Sequence, residues 1–403
     1  MSTDASVAAT WSDRLVSLDH LDPVSAELVD RLLTRAPEGL AAAYLPESGG
    51  FAQTVRGHVG EFGLTLHREG SNVRYAAMVA LGLAHLPLHE QRDALEGRTA
   101  GEVARLATRH ALRGDSGAMA LAAWADAEVN GHFAESLFLM LGRMAASPAP
   151  LATVDTAWLV IAGIAAARLG DTEALVEHGS RRLLAQQGAG GIFPHVVAPG
   201  RHPSWRSHVG SFADQVYPVQ ALARAALHTG EERLLAAANR TADRLCASQG
   251  TAGQWWWHYD VRDGSVVERY PVYSAHQHAM APMAILDLYE AGGHDHREQL
   301  AAGVRWLAEH PEVPEDLVCG RFGLVWRKVG RREPGKAARV VATTATSLRP
   351  GVHVPGLDRA LPPIRVDHEC RPYELAWLLH AWLSTPLAVP GTPRPSALRT
   401  AGS

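Results

Sequence analysis

Residues 214–245, DQVYPVQALARAALHTGEERLLAAANRTADRL, decide how the chain folds. The first sixteen, 214–229, are apolar almost all round and run as a helix to Gly230-Glu231. A glycine just past a helical run is a stop signal. A second helix follows, charged on one side and ending at Arg244-Leu245. Shifting the frame by 62 residues in either direction gives the same unit. Residues 154–169 stop at Gly170-Asp171 and lead to Arg182-Leu183, while 276–291 stop at Gly292-Gly293 and lead to Trp306-Leu307. A fixed period of this size marks a repeat architecture, here helix, turn, helix and a longer loop.

The repeat weakens outward but persists. Residues 72–86 and 101–112 form one more pair, 117–128 and 132–144 another, and 372–383 is a last apolar helix. Residues 24–35 are its expected partner across a closure. The first helix of each pair carries almost no charge and the second carries several; an all-round apolar helix is buried and a one-sided one lies outside. The sequence therefore predicts an all-α fold, an α/α toroid of about six helical hairpins. It is expected as a single domain over 13–385, with disordered tails at 1–12 and 386–403. Two inserted β-hairpins are expected, at 256–270 around Asp263-Gly264 and at 320–346, with strands over 322–328 and 339–346.

Composition bounds the function. The 403 residues are 47% hydrophobic with a formal net charge of −4, which suits a large core and argues against nucleic acid as a partner. The basic runs 327–332 and 336–339 are read as a solvated hairpin rim. No apolar stretch reaches the length needed to cross a bilayer, and 1–10 lacks the pattern of a signal peptide. Three scattered cysteines make no disulfide framework, so a reducing cytoplasm is expected. No phosphate-cradling glycine loop is present, and no cofactor is expected.

The loop after the repeat, Gln249-Gly250-Thr251-Ala252-Gly253-Gln254-Trp255, fits Gln-x-x-x-Gly-x-Trp. Gln187-Gly188-Ala189-Gly190-Gly191-Ile192-Phe193 is the same pattern with Phe, and Gly49-Gly50-Phe51 retains part of it. These motifs, with Asp155-Thr156-Ala157-Trp158, resemble the repeats of squalene–hopene-type cyclases and protein prenyltransferase β subunits over roughly 150–310. Similar turns occur in six-hairpin carbohydrate-active enzymes. The resemblance implies the toroid more than a reaction. The Asp-x-Asp-Asp acid motif of the triterpene cyclases is missing, and Asp367-His368-Glu369-Cys370 lacks a convincing zinc-ligand spacing, so no metal is expected.

In a toroid the inner-helix starts converge on one mouth. Here they carry Arg74-Tyr75, Asp115-Ser116, Asp155-Thr156, Asp214-Gln215, His276-Gln277 and Arg371 with Tyr373. Asp115, Ser116, Asp155 and Thr156 are read as caps, since these types are preferred there. His278, among apolar positions, is read as a core histidine. The expected reacting groups are Asp214, His258, Tyr259, Asp260, Tyr273, His276, Asp367 and Glu369. Arg74, Tyr75, Gln215, Tyr217, Trp255, Trp257, Gln277, Arg371 and Tyr373 are the expected substrate contacts. Aromatic faces beside His, Asp and Arg suit a sugar or oligosaccharide. Paired carboxylates would serve glycoside hydrolysis, and Tyr/His pairs with an Arg would serve uronate lyase or epimerase chemistry. Isoprenoid cyclisation by a buried acid is the second class, and a non-catalytic helical-repeat binding module the third.

Overall fold

The computed structural model describes residues 11–61, 63–196, 206–334 and 336–387. Six inner helices form its centre: Val73–Leu83, Ser116–Asn130, Thr153–Ala166, Ala213–Thr229, the continuous run His276–Met280 and Ala281–Glu290, and Pro372–Leu383. Each packs on the next, and Pro372–Leu383 packs back on Val73–Leu83. The ring is closed. The outer layer is Ala100–Ala111, Glu135–Ala146, Glu173–Gln186, Glu232–Ala247, Arg297–Glu309 and Pro23–Ala43. The last of these packs against Pro372–Leu383, the partnership expected across the closure.

Burial separates the layers as the charge pattern predicts. Every residue from Gly117 to Ala127 on one inner helix is buried. The outer helix Glu232–Ala247 buries only Leu234, Ala237, Ala238, Thr241, Ala242 and Leu245, one stripe at helical spacing. Aromatic rings fill the axis: Trp158 lies 5.0 Å from Tyr217, Tyr217 6.5 Å from Trp377, and Trp377 5.6 Å from Trp124. Large side chains like these stabilise by about 1.5–3 kcal/mol each when fully buried.

The Gln-x-x-x-Gly-x-aromatic motif is a locked turn. The Gln249 amide donates to the Gly253 carbonyl at 2.9 Å and to the Gln299 carbonyl of the next outer helix at 2.8 Å. One repeat earlier, Gln187 donates to the Gly191 carbonyl at 3.3 Å and the Ala237 carbonyl at 2.8 Å. Both glycines have positive φ, +79° at Gly191 and +92° at Gly253, where a side chain is strained. The aromatic that ends each motif is then held by the glutamine at the next inner-helix start. Gln215 accepts from the Phe193 N–H at 2.7 Å, and Gln277 from the Trp255 N–H at 3.2 Å. The motif is thus the joint between hairpins, which accounts for it without a cyclisation reaction.

Short sheets cover the end where the inner helices begin. Val209–Ser211, His258–Asp260 and Val266–Glu268 form one, including the hairpin expected at 256–270. Val272–Tyr273, Lys328–Gly330 and Arg365–Asp367 form another, with Lys328 opposite both Asp367 and Tyr273. The second expected hairpin is corrected: of its two strands, the stretch 339–346 is helical, within Ala337–Leu348. Its Val and Thr content favours a strand locally. Burial of Ala338, Ala342, Thr343 and Thr346 on one face, with the Glu333 carboxylate accepting from the Ala338 N–H, decides for helix. A hairpin that sequence reading missed, Thr54–Gly60 with Gly63–Glu69, pairs with Glu369–Cys370 instead. No described helix is long and apolar enough to cross a membrane. The three cysteines are free. The expected tails at 1–12 and 386–403 lie almost wholly outside the described residues.

Candidate active site

A cavity of about 480 Å³ opens at the sheet-covered end. Its wall carries Arg56, Arg327, Lys328, Arg331, Lys336, Arg339, Arg365 and Arg371 against Glu333, Asp367 and Glu369. Eight cations face three carboxylates. The basic runs read as a solvated rim are therefore largely turned into this cavity, because strand Lys328–Gly330 is central in its sheet and helix Ala337–Leu348 folds over it. Some of the charge is matched locally. Lys328 pairs with Asp367 at 2.6 Å, Arg56 with Glu369 at 2.7 Å, and Arg327 with the buried Glu374 at 2.6 Å. Burial raises the Glu374 carboxyl to about 7.

Arg339 is different. Its guanidinium lies 3.8 Å over the Trp257 ring, its Nε is buried without a partner, and no ion pair holds it among the described residues. Burial lowers its pKa, which marks a cation short of compensating charge. Arg371 likewise has a buried, unpartnered Nε, with its Nη1 3.4 Å from the Tyr75 hydroxyl. Tyr273 completes this wall, its ring 5.4 Å from Trp257 and 5.0 Å from the Arg327 guanidinium.

Across the mouth, two adjacent inner helices present carboxylates. Asp155 is the third residue of Thr153–Ala166 and makes no cap for that helix. It reaches sideways, accepting from the Ser116 hydroxyl at 2.6 Å, with Arg74 at 3.4 Å. Burial raises its pKa and Arg74 only partly offsets this, so it holds a proton above the ordinary carboxylate range. The capping reading is right for Asp115, which accepts from the Ala118 N–H at 2.9 Å and pairs with Arg74 at 2.7 Å. For Asp155 it is wrong. Asp214 accepts from the Ser211 N–H at 2.8 Å, the Ser211 hydroxyl at 2.6 Å and His195 at 2.9 Å. The hydrogen bond to Asp214 raises the pKa of His195, whose charge also feels Asp155.

Histidines and aromatics join the two sides. His258 stacks on Trp257 at 4.0 Å, and His276 lies 4.3 Å from Phe212 and 5.0 Å from Tyr273. Burial holds both imidazoles neutral, His276 at about 3 and His258 well below its usual value. Tyr75 and Tyr373 pack 5.2 Å apart, and Tyr217 accepts from the Trp377 indole at 2.9 Å beneath them.

Five expected site residues have other work. Asp260 is buried against Arg262, which contacts both carboxylate oxygens at 2.9 and 2.7 Å and bridges to the Thr346 carbonyl. Its charge is spent fixing helix Ala337–Leu348. Tyr259 is fully buried with Cys246 of an outer helix among its neighbours, and Trp255 packs on Gly303 of another, so both belong to the core between layers. Gln215 and Gln277 are consumed by the backbone bonds of the hairpin joints. In exchange the structure adds Asp155, His195 and Arg339. His278 is fully buried, as expected of a core histidine, and both its ring nitrogens lack a hydrogen-bond partner.

No family model matches the chain, and no curated protein does. Among solved structures, the unsaturated glucuronyl hydrolase of Bacillus sp. GL1, described as responsible for the degradation of glycosaminoglycan, is 13% identical with a TM-score of 0.52, covering 88% of this chain and 96% of its own. The unsaturated glucuronyl hydrolase of Streptcoccus agalactiae is 10% identical at TM-score 0.52, over 88% and 90%. A sugar epimerase from a ruminal bacterium is 11% identical at TM-score 0.56, over 89% and 98%. The chain has the α/α-toroid fold of these carbohydrate-active enzymes.

Proposed function

We propose that the protein is a carbohydrate-active enzyme of the hydrolase type whose substrate is an acidic, uronate-bearing saccharide. One observation carries this reading: the cavity at the inner-helix starts holds eight Arg and Lys against three carboxylates, with Arg339 uncompensated over an aromatic face. A sugar ring stacks on such a face while its carboxylate takes the guanidinium. Asp155 is the proton donor of the proposal, since burial raises its pKa and so favours the protonated form that transfer to a leaving glycosidic oxygen needs. The C–O bond breaks, water adds its oxygen to the sugar carbon, and its proton leaves through the His195–Asp214 pair. The fold neighbours, two unsaturated glucuronyl hydrolases and a sugar epimerase, agree with a carbohydrate-active class.

The alternative is epimerisation. A neutral imidazole beside the Tyr273 hydroxyl favours it: the imidazole of His276 would take the proton from one face of a carbon, Tyr273 would return one to the other face, and the imidazolium would then reprotonate the tyrosinate. Incubation with unsaturated uronyl disaccharides, saturated uronate oligosaccharides and neutral disaccharides, followed by mass spectrometry and NMR, separates the readings. Cleavage confined to acidic substrates is expected. Inversion of a neutral reducing sugar would favour the epimerase, and no conversion of any of them would refute the enzyme.

A further inference from the structure

A second polar cluster lies at the opposite end of the ring, where three adjacent inner helices finish. His85 follows the end of Val73–Leu83, Glu128 is in the last turn of Ser116–Asn130, and His380 is in the last turn of Pro372–Leu383. Each offers one ligand atom, and these atoms lie within 4.8 Å of one another. His85 Nε2 is 3.1 Å from His380 Nδ1, and the Ser384 hydroxyl is 3.4 Å from the same His85 nitrogen. Two nitrogens bound to one tetrahedral zinc at about 2.0–2.1 Å sit roughly 3.4 Å apart, so the pair is already near coordination spacing. His380 is buried, and its second nitrogen has no partner.

The charges at this end leave room for a cation. Arg14 pairs with Asp287 and Glu290, each at 2.6 Å, and Arg224 pairs with Asp287 at 2.6 Å. Two cations are matched by two carboxylates. Glu128 is the third carboxylate at this end, hydrogen-bonded by the Trp124 indole at 2.5 Å and within the electrostatic reach of Arg224. Its side chain is exposed to solvent, so an ion can reach it. Helix C-termini add negative partial charge.

We propose that His85, His380 and Glu128 bind a divalent transition-metal ion of the zinc class, with a water or Ser384 at the remaining position. Two imidazoles and one carboxylate suit zinc and its first-row neighbours rather than magnesium or calcium. The site ties three inner helices together at the end away from the saccharide cavity. It does not depend on the proposed reaction.

The full chain is stripped with chelator and titrated with Zn²⁺ by calorimetry, and with Co²⁺ by visible absorption. The wild type is expected to take up one zinc with a rise in Tm, and cobalt with a tetrahedral spectrum. His85→Asn and Glu128→Gln, each checked for wild-type circular dichroism without metal, should weaken binding at least about tenfold. A second cluster, Asp243 with His294 and His296, lies among outer-layer residues and serves as the control. Replacing both of its histidines with alanine should leave the tight site intact. If the wild type binds no zinc, or if that double variant loses the tight site while His85→Asn keeps it, the proposal fails.

Discussion

Gly253→Ala tests the joint between hairpins most directly. Gly253 sits at φ +92°, and an added Cβ would overlap the Ala302 carbonyl oxygen and lie 2.5 Å from the carbonyl carbon of the outer helix. Left-handed backbone costs an alanine about 1–2 kcal/mol, and forcing a methyl group into close-packed backbone costs about 1–3 more. The repeat supplies an internal control. At Gly191 the backbone strain is similar, but the added Cβ would meet the Arg240 carbonyl oxygen at 3.0 Å, which a small shift relieves. Gly191→Ala should therefore lose only about 1–2 kcal/mol. At roughly 2 cal/mol/K of unfolding entropy per residue, each kcal/mol lowers the Tm of a chain this long by about 1 °C. Expected losses are about 2–6 °C for Gly253→Ala and about 1–2 °C for Gly191→Ala. Differential scanning fluorimetry with urea titration reads both. Equal losses, or a smaller one at Gly253, would refute the argument that close approach as well as φ dictates the glycine.

Asp155→Asn should lower kcat by about 10²–10⁴ on whichever acidic saccharide is turned over, with Tm within about 1 °C of wild type; retained kcat removes Asp155 as the donor. Arg339→Met keeps the stem over Trp257 but deletes the charge, so it should raise KM about tenfold or more for an acidic substrate and leave a neutral analogue unaffected. The alkaline limb of the kcat profile should fall above the ordinary carboxylate range, because burial raises the Asp155 pKa and activity needs its protonated form. Asp214 raises the pKa of His195, so the stabilisation from that pair is fully present below about pH 6.5 and lost as pH rises through the raised value. Urea melts of wild type and His195→Gln across this range should converge at high pH; a constant gap would contradict the linkage.

The ring was legible because its register is written in spacing. Residues 62 apart do the same job, Gln187 with Gln249, Gly191 with Gly253 and Gln215 with Gln277. The site was legible only as a region. Sequence position placed Asp260 and Asp214 alike near the mouth, and only the fold shows that Arg262 neutralises one while Ser211 and His195 orient the other. Asp155 was hidden by its residue type, which suits a cap, while its bond runs to Ser116 of the neighbouring helix. The Val- and Thr-rich stretch carrying Arg339 reads as strand locally, and tertiary packing overrides that preference. Helical periodicity gives a residue's own helix face; it carries no information about which neighbour lies across a loop.

Closure of the ring also sets a timetable for synthesis. The Ser12 hydroxyl bonds the Trp382 carbonyl, and the two residues are 370 apart in sequence. Arg14 likewise reaches the Ala381 carbonyl. At about 5–20 residues per second, the helix Pro23–Ala43 leaves the ribosome roughly 20–70 s before the partner that covers it. For that interval the growing arc carries an open flank on each side, and the slot for Trp377 and Trp382 stands empty. A ribosome stalled within the last few dozen codons of that slot would release a sticky crescent in place of a ring.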